Sequence, residues 1–222
     1  MTTLFLIRHG LTAQTGANLY GRTRGIPLDA RGRRQAIHLA ERFRSIKLTA
    51  IYSSPLERCV QTVEPLAAGQ RLPIQERDGL MEMDVGAWTG RSLKSLRRTK
   101  RWSEIQGSPS SFRFPDGEAF AEALDRIEGE IRSIAKRHPR GRVAVATHGD
   151  IVRMLVAHFT GAPLDAFQRT VIDTAGVSVV SLHKGLPHVH LVNDTGGLDR
   201  FGPAGTPPPW EVFADPNEPP GT

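Results

Sequence analysis

A single cysteine, Cys59, is present in 222 residues, so no intrachain disulfide can brace the fold. That economy suits a reducing compartment, and a cytoplasmic location is expected from it. Zinc-finger spacing is excluded by the same count. Long apolar runs are missing too. Leu4 to Ile7 is cut off by Arg8, too short for the core of a secretory signal, and no stretch approaches a membrane span. Aromatic residues make up only 6% of the chain, and no RNP-type aromatic pattern or basic heptad repeat accompanies its basic residues. Nucleic acid is therefore not an expected partner, nor is a membrane. What the chain does have is 39% hydrophobic residues and a net charge of +6. The first suffices for a packed core. The second gathers around Arg31, Arg33 and Arg34 and again around Arg91, Arg97, Arg98, Lys100 and Arg101. Such clusters form solvated helix faces or attract anionic substrates.

Periodicity gives the organisation. Thr3 to Ile7 is a continuous apolar run, a buried strand. Residues 11–28 are loop, punctuated by Gly16, Gly21, Gly25 and Pro27. Asp29 is placed to cap a helix running to about Arg44, with Ala36, Ile37, Ala40 and Phe43 on its apolar face. Ala50–Ser53 reads as a short strand. Ser54, Pro55 and Glu57 then spell a capping box, with Ser54 as N-cap and Pro65 expected to bend or end the helix. Leu72–Ile74 reads as an edge strand. Residues 78–118 are mixed, with helical pieces around Ser92 to Trp102. Phe120, Leu124, Ile127, Ile131 and Ile134 repeat at helical spacing until His138-Pro139. Arg142–Thr147 is a second buried strand, followed by a helix from Asp150 to Phe159. Val177–Leu182 and Val189–Val192 flank a Lys-Gly-Leu-Pro turn as a hairpin. This order predicts a three-layer α/β/α sandwich with a mostly parallel sheet over residues 1–195. Residues 196–222, rich in Gly and Pro, read as a disordered tail.

Two short frames carry the chemistry. Arg8-His9-Gly10 and Thr147-His148-Gly149 each end an apolar strand. In one parallel sheet both imidazoles emerge at the carboxyl edge, where such sheets bind ligands. A neutral imidazole is a nucleophile toward phosphorus, and a guanidinium offers paired donors to phosphate oxygens. Arg58, in the first turn after Ser54, adds charge at a helix N-terminus. A leaving alkoxide needs a proton. Glu82 and Asp84 both lie in the stretch Leu80–Gly86, and spacing does not choose between them. His188 and His190 share a strand face, but no neighbouring carboxylate or cysteine completes a metal set. Cys59 falls on an apolar helix face and reads as core.

Arg8-His9-Gly10, the run Ser53–Arg58, Leu80-x-Glu82 with Gly86-x-Trp88-x-Gly90, and Thr147-His148-Gly149, in this order, resemble the histidine phosphatase superfamily, also called phosphoglycerate-mutase-like. The resemblance spans residues 3–195. It implies that His9 is the nucleophile that becomes phosphohistidine and that Arg8, Arg58 and His148 hold the phosphoryl group. It also implies that Glu82, not Asp84, protonates the leaving group. Gly149 joins the phosphate-binding set. It implies no cofactor and no metal, a small phosphorylated substrate, and an assembly compatible with a homodimer. The motifs at Gly86–Arg91, Phe114–Glu118, Leu164–Arg169 and Asn193–Gly196 are similar to an actinobacterial-type branch of phosphomutases and phosphatases. Leu11 stands where the family usually has Glu, and Thr15 where an Asn contacts phosphate, with Asn18 nearby as a substitute. Residues 91–117 do not match the longer cover of the glycolytic mutases. A metal-independent phosphomonoester hydrolase is therefore expected, with a phosphomutase or a non-catalytic phospholigand-binding protein as the alternatives.

Overall fold

The apolar run at the start of the chain becomes the middle of the sheet. In the computed structural model, which describes residues 1–196, β1 (Thr2–Arg8) lies between β4 (Arg142–Thr147), parallel to it, and β5 (Val177–His183), antiparallel. With β2 (Ala50–Ser53), β3 (Ile74–Glu76) and β6 (Leu186–Asp194), the order is β3-β2-β4-β1-β5-β6. Strands β1 to β4 are parallel, and the β5–β6 hairpin completes the sheet. Side chains alternate between its two faces. Phe5, Ile7, Ile51 and Ala144 pack under α1 (Ala30–Arg42) and α2 (Glu57–Gln70). Leu4, Leu6, Tyr52 and Val145 pack under α5 (Phe120–Arg137) and α6 (Gly149–Phe159). The short helices α3 (Leu93–Leu96) and α4 (Lys100–Gly107) belong to the segment that covers the carboxyl edge on the second face. The expected three layers and mostly parallel sheet are present, and the order is the reason both buried strands matter. β1 and β4 are neighbours, with Arg8 opposite Thr147, while Ser53 of β2 sits opposite Ala146. Three strand ends are thus in register at one edge.

Local chemistry explains the element ends and where expectation erred. The Asp29 side chain accepts from Gly32 N at 2.7 Å and caps α1. The apolar stripe was misread by one position: Leu39 is fully buried and Ile37 is 56% exposed. At 100° per residue, positions 36, 39, 40 and 43 form the stripe and 37 falls outside it. The helix also ends at Arg42, not Arg44. Ser54 does not cap α2. That helix starts at Glu57 with Leu56 as its N-cap and no side-chain cap bond; the Ser54 hydroxyl accepts from Leu56 N at 3.4 Å and faces His148 Nε2 at 2.9 Å. Pro65 does not end α2, whose flanking Thr62, Val63, Leu66 and Ala67 are buried. β3 begins at Ile74, past Pro73, which has no N–H to pair. α6 begins at Gly149, one residue early. The hairpin turn is only Lys184-Gly185, both at positive φ (49° and 83°). That two-residue turn matches strand twist, so β6 starts at Leu186 rather than Val189. The expected tail lies, from residue 197 on, outside the described residues.

Burial makes the two helix faces unequal in energetic weight. Ile127→Ala in α5, at a fully buried position, is expected to lower unfolding free energy by about 2–5 kcal/mol. Ile37→Ala on the exposed face of α1 is expected to change it by less than about 0.5 kcal/mol. Urea denaturation of the two variants checks this ranking, and a cost for Ile37→Ala equal to that for Ile127→Ala would contradict the packing described.

Candidate active site

His9 follows β1 and His148 follows β4, and register alone brings the two rings to a centroid distance of 5.4 Å. The Nδ1 of His9 lies 2.8 Å from the carbonyl oxygen of Gly10. A carbonyl only accepts, so Nδ1 carries the proton and Nε2 keeps its lone pair. Burial first, then the Arg8 and Arg58 charges, holds the His9 pKa well below the usual histidine value, so the ring is neutral. Gly10 N donates to Thr62 Oγ1 at 2.8 Å, which fixes the turn under the ring.

Arg58 is buried and Arg8 half-buried, and both donate to neutral oxygens. Arg8 Nη1 donates to Ile172 O at 2.6 Å, while its Nε is buried and has no partner. A Cβ on Gly149 would stand 3.1 Å from that Nε, a tight contact, so the glycine lets α6 begin close against the guanidinium. Arg58 donates to Gly21 O at 2.8 Å and Thr23 O at 3.2 Å. Neither arginine has a carboxylate in direct contact among the described residues. Two desolvated cations facing one cleft form a site for a dianion.

Glu82 lies across this cleft from neither strand but from the loop after Leu80. Burial above all, with the Asp150 charge, pushes its pKa up to about 7. Its Oε1 accepts from Met83 N at 3.0 Å. Asp84, the alternative acid by spacing, turns away: it accepts from Gly86 N at 3.0 Å and its side chain is 46% exposed. The structure therefore places Glu82 in the cleft and leaves Asp84 outside it.

His148 is fully buried and lies behind the cleft wall. Its Nε2 faces Ser54 Oγ at 2.9 Å and its Nδ1 stands 4.0 Å from Glu82 Oε2. Burial, then the charges of Arg58 and neighbouring groups, lowers its pKa well below the usual value. Cys59 Sγ packs 3.5 Å from the same Nε2, and burial pushes the thiol up to about 12. Ser54 is thus a site residue read as a helix cap. The signal for both roles is one serine at a strand-to-helix junction, and only the proximity of β2 to β4 separates them.

The cleft comprises two joined spaces. An inner one of ≈180 Å³ includes Arg8, His9, Arg58, Glu82, Thr15 and Asn18. An outer one of ≈490 Å³ shares Asp150 with it and adds Trp102, Arg97, Gly149, Arg153 and Gln168. Of the two polar loop residues, Thr15 Oγ1 accepts from Thr12 N at 3.1 Å. Asn18 Nδ2 donates to Tyr20 Oη at 2.8 Å. Both line the inner space with these bonds in place. Elsewhere, His190 Nε2 lies 2.7 Å from Ser181 Oγ, and no group of three or more His, Cys, Asp or Glu suited to a metal occurs among the described residues. No helix among them is long and apolar enough to cross a membrane.

Comparison with known proteins now bears on this arrangement. Residues 4–195 match the model of the histidine phosphatase superfamily, branch 1. The chain belongs to the histidine phosphatase superfamily. It is 30% identical over 209 residues to Phosphoserine phosphatase 1 of Hydrogenobacter thermophilus, covering 90% of this chain and 96% of that one. It is 31% identical over 183 residues, 81% and 85% of the two chains, to Probable phosphoglycerate mutase GpmB of Proteus mirabilis. Among solved structures, YhfR of Bacillus stearothermophilus superposes with a TM-score of 0.81 at 29% identity, covering 86% and 96%. As a histidine phosphatase this chain is a phosphoric monoester hydrolase. At the family's usual Glu, Leu11 is held through its backbone instead: its N–H donates to Gln35 Oε1 at 2.9 Å and its carbonyl accepts from Asp29 N at 3.0 Å.

A buried, raised carboxyl carries a stability cost. Below the unfolded-state value of 4.5 both states are protonated and there is no cost. As pH rises toward 7 only the unfolded chain ionises, so the fold loses stability up to about 7 and no further. Glu82→Gln removes this term. It is expected to stabilise the chain at pH 8 by up to about 3 kcal/mol and to be near neutral at pH 4.5, as read by urea denaturation at the two pH values.

Proposed function

We propose that this histidine phosphatase hydrolyses a small phosphorylated metabolite through a phosphohistidine on His9, without a metal ion. The observation that carries the reading is the His9–Gly10 bond, which fixes the proton on Nδ1 and leaves Nε2 as the free nitrogen in a cleft with two guanidinium groups. Nε2 attacks phosphorus while Arg8 and Arg58 hold the phosphoryl oxygens, with Thr15 and Asn18 beside them in the inner space, Gly149 in the outer one, and His148 backing the His9 ring from behind the wall. Glu82, protonated near neutral pH, gives its proton to the leaving alkoxide as the P–O bond breaks. The resulting carboxylate then takes a proton from water. The hydroxide attacks phosphorus, the P–N bond breaks, and His9 returns to its neutral form with phosphate released. The two cations do the charge work that a metal performs elsewhere. The similarity to Phosphoserine phosphatase 1 supports water as acceptor and a phosphorylated amino or hydroxy acid among the substrates to test. Transfer to a second hydroxyl would be the mutase outcome, named by the other relative.

Release of inorganic phosphate from a panel of phosphomonoesters, O-phosphoserine included, tests this reading. His9→Ala is expected to lose turnover by about 10³-fold or more and to take up no phosphoryl group at residue 9, judged by mass spectrometry after acid-free quenching. Wild-type activity is expected to persist in EDTA, and reversible loss on chelation would contradict the assignment of charge stabilisation to Arg8 and Arg58.

Proton supply sets the pH profile. Because the first step needs neutral His9 and protonated Glu82, kcat/KM is expected to fall about tenfold per unit above pH 7. Glu82→Gln should lack that limb. A profile in Glu82→Gln identical to wild type would assign the titration to another group.

A further inference from the structure

Glu82 sits on irregular backbone. The residues around it, from the turn Asp78–Leu80 to the turn Gly86–Trp88, belong to no strand or long helix, so no ladder of backbone hydrogen bonds holds the carboxyl against His9. Three charged side chains do so instead. Glu118 accepts from Arg22 Nη2 at 3.1 Å on both oxygens. It also accepts from Arg126 Nε at 2.8 Å and Nη2 at 3.0 Å. Glu118 is shared between them, and Arg22 Nη1 also stands 3.9 Å from Asp84 Oδ2; the remaining donors go to the Glu82 loop. Arg22 Nε donates to the carbonyl of Glu82 itself at 3.0 Å. Arg126 reaches Gly79 O at 2.8 Å and Met81 O at 3.0 Å. Glu118 takes Asp84 N at 3.3 Å and donates its own N–H to Asp84 O at 2.8 Å.

Arg22 has a second connection that Arg126 lacks. The residues on either side of it, Gly21 and Thr23, give their carbonyls to Arg58. A Cβ on Gly21 would come within 2.8 Å of Met83 O, so the two loops touch at backbone level. One residue thus binds the Glu82 peptide with its side chain and flanks the seat of the phosphate arginine with its backbone. We propose that Arg22, braced by Glu118 and Arg126, is a positioning residue that sets the Glu82 carboxyl in register with the phosphoryl site. This rests on the reading of Glu82 as proton donor. Displacing such a carboxyl costs rate only when the leaving group needs its proton.

The test therefore varies the leaving group. Full-length wild type, Arg22→Gln, Glu82→Gln and the double variant are assayed for kcat/KM on an alkyl phosphate and on p-nitrophenyl phosphate, whose phenolate departs without protonation. Arg22→Gln is expected to lose about 10- to 100-fold on the alkyl ester and less than about threefold on the nitrophenyl ester. Glu82→Gln should show the same asymmetry at larger size. The double variant should be no slower on the alkyl ester than Glu82→Gln alone, since Arg22 acts through Glu82. Equal losses on both esters, no loss on either, or additive losses in the double variant would each overturn the proposal. Asymmetry in Glu82→Gln but not in Arg22→Gln removes this proposal alone. Its absence from Glu82→Gln removes the proton-donor reading and the proposal with it. Arg22→Lys, which keeps the charge beside Glu118, guards against a chain that fails to fold. The same asymmetry at smaller size is expected from it, and its absence counts against the proposal.

Discussion

Two cations on one cleft whose guanidinium groups are bonded only to neutral carbonyl oxygens govern this molecule's chemistry. Arg8 and Arg58 lose hydration on folding and regain only neutral carbonyl oxygens, an arrangement that is costly until a dianion arrives. Their field, added to burial, keeps His9 neutral. Burial of the same cleft, with Asp150, keeps Glu82 protonated near neutral pH. Burial in one cleft therefore prepares a nucleophile and an acid together, the arginine charges helping to keep His9 neutral while opposing the rise at Glu82. Opposite shifts on two groups in one pocket are the pattern expected where an imidazole and a carboxyl divide the roles of nucleophile and acid.

The fold pays for that condition through rigidity around the cleft. Each charged group is anchored by an element with its own reason to be stiff. His9 and His148 leave adjacent central strands. Arg58 lies in the first turn of α2, whose inner face is buried. Glu82 has no such element. Its loop is instead tied by Glu118 and two arginines, so backbone that lies outside strands and long helices is held by side-chain bonds. The outer chamber, by contrast, is built from α3, α4 and neighbouring segments, whose polar and aromatic side chains face the space where the rest of a substrate would lie.

Much of this was legible in the residues. The buried strands, the long helix from Phe120 and the two His-Gly frames follow from periodicity and from residue types that have few alternatives. Glycine at 149 and the acid at 82 are different cases. The sequence contains both, but the close approach of Gly149 to the Arg8 guanidinium appears only when α6 meets β1. The choice of Glu82 over Asp84 appears only when the loop's direction is known. Ser54 shows how a sound local rule is overridden: serine before proline and glutamate is a good helix cap, yet α2 begins later, at Glu57, and the hydroxyl is shared between Leu56 N and the His148 imidazole. Ile37 shows the opposite failure, a small angular error on a helix that a stripe of small residues defines only loosely.

The sequence by itself determined the elements, the family and the residue types of the site, because each depends on neighbours within a few positions along the chain. Tertiary structure alone decided which groups meet. His9 and His148 are far apart in sequence and 5.4 Å apart in space because β1 and β4 pair in parallel. Arg22, Glu118 and Arg126 form one cluster because a loop, a turn and α5 converge on the Glu82 peptide. Hydrogen-bond geometry and desolvation act through space over a few ångströms, and only the packed chain brings such distances into being.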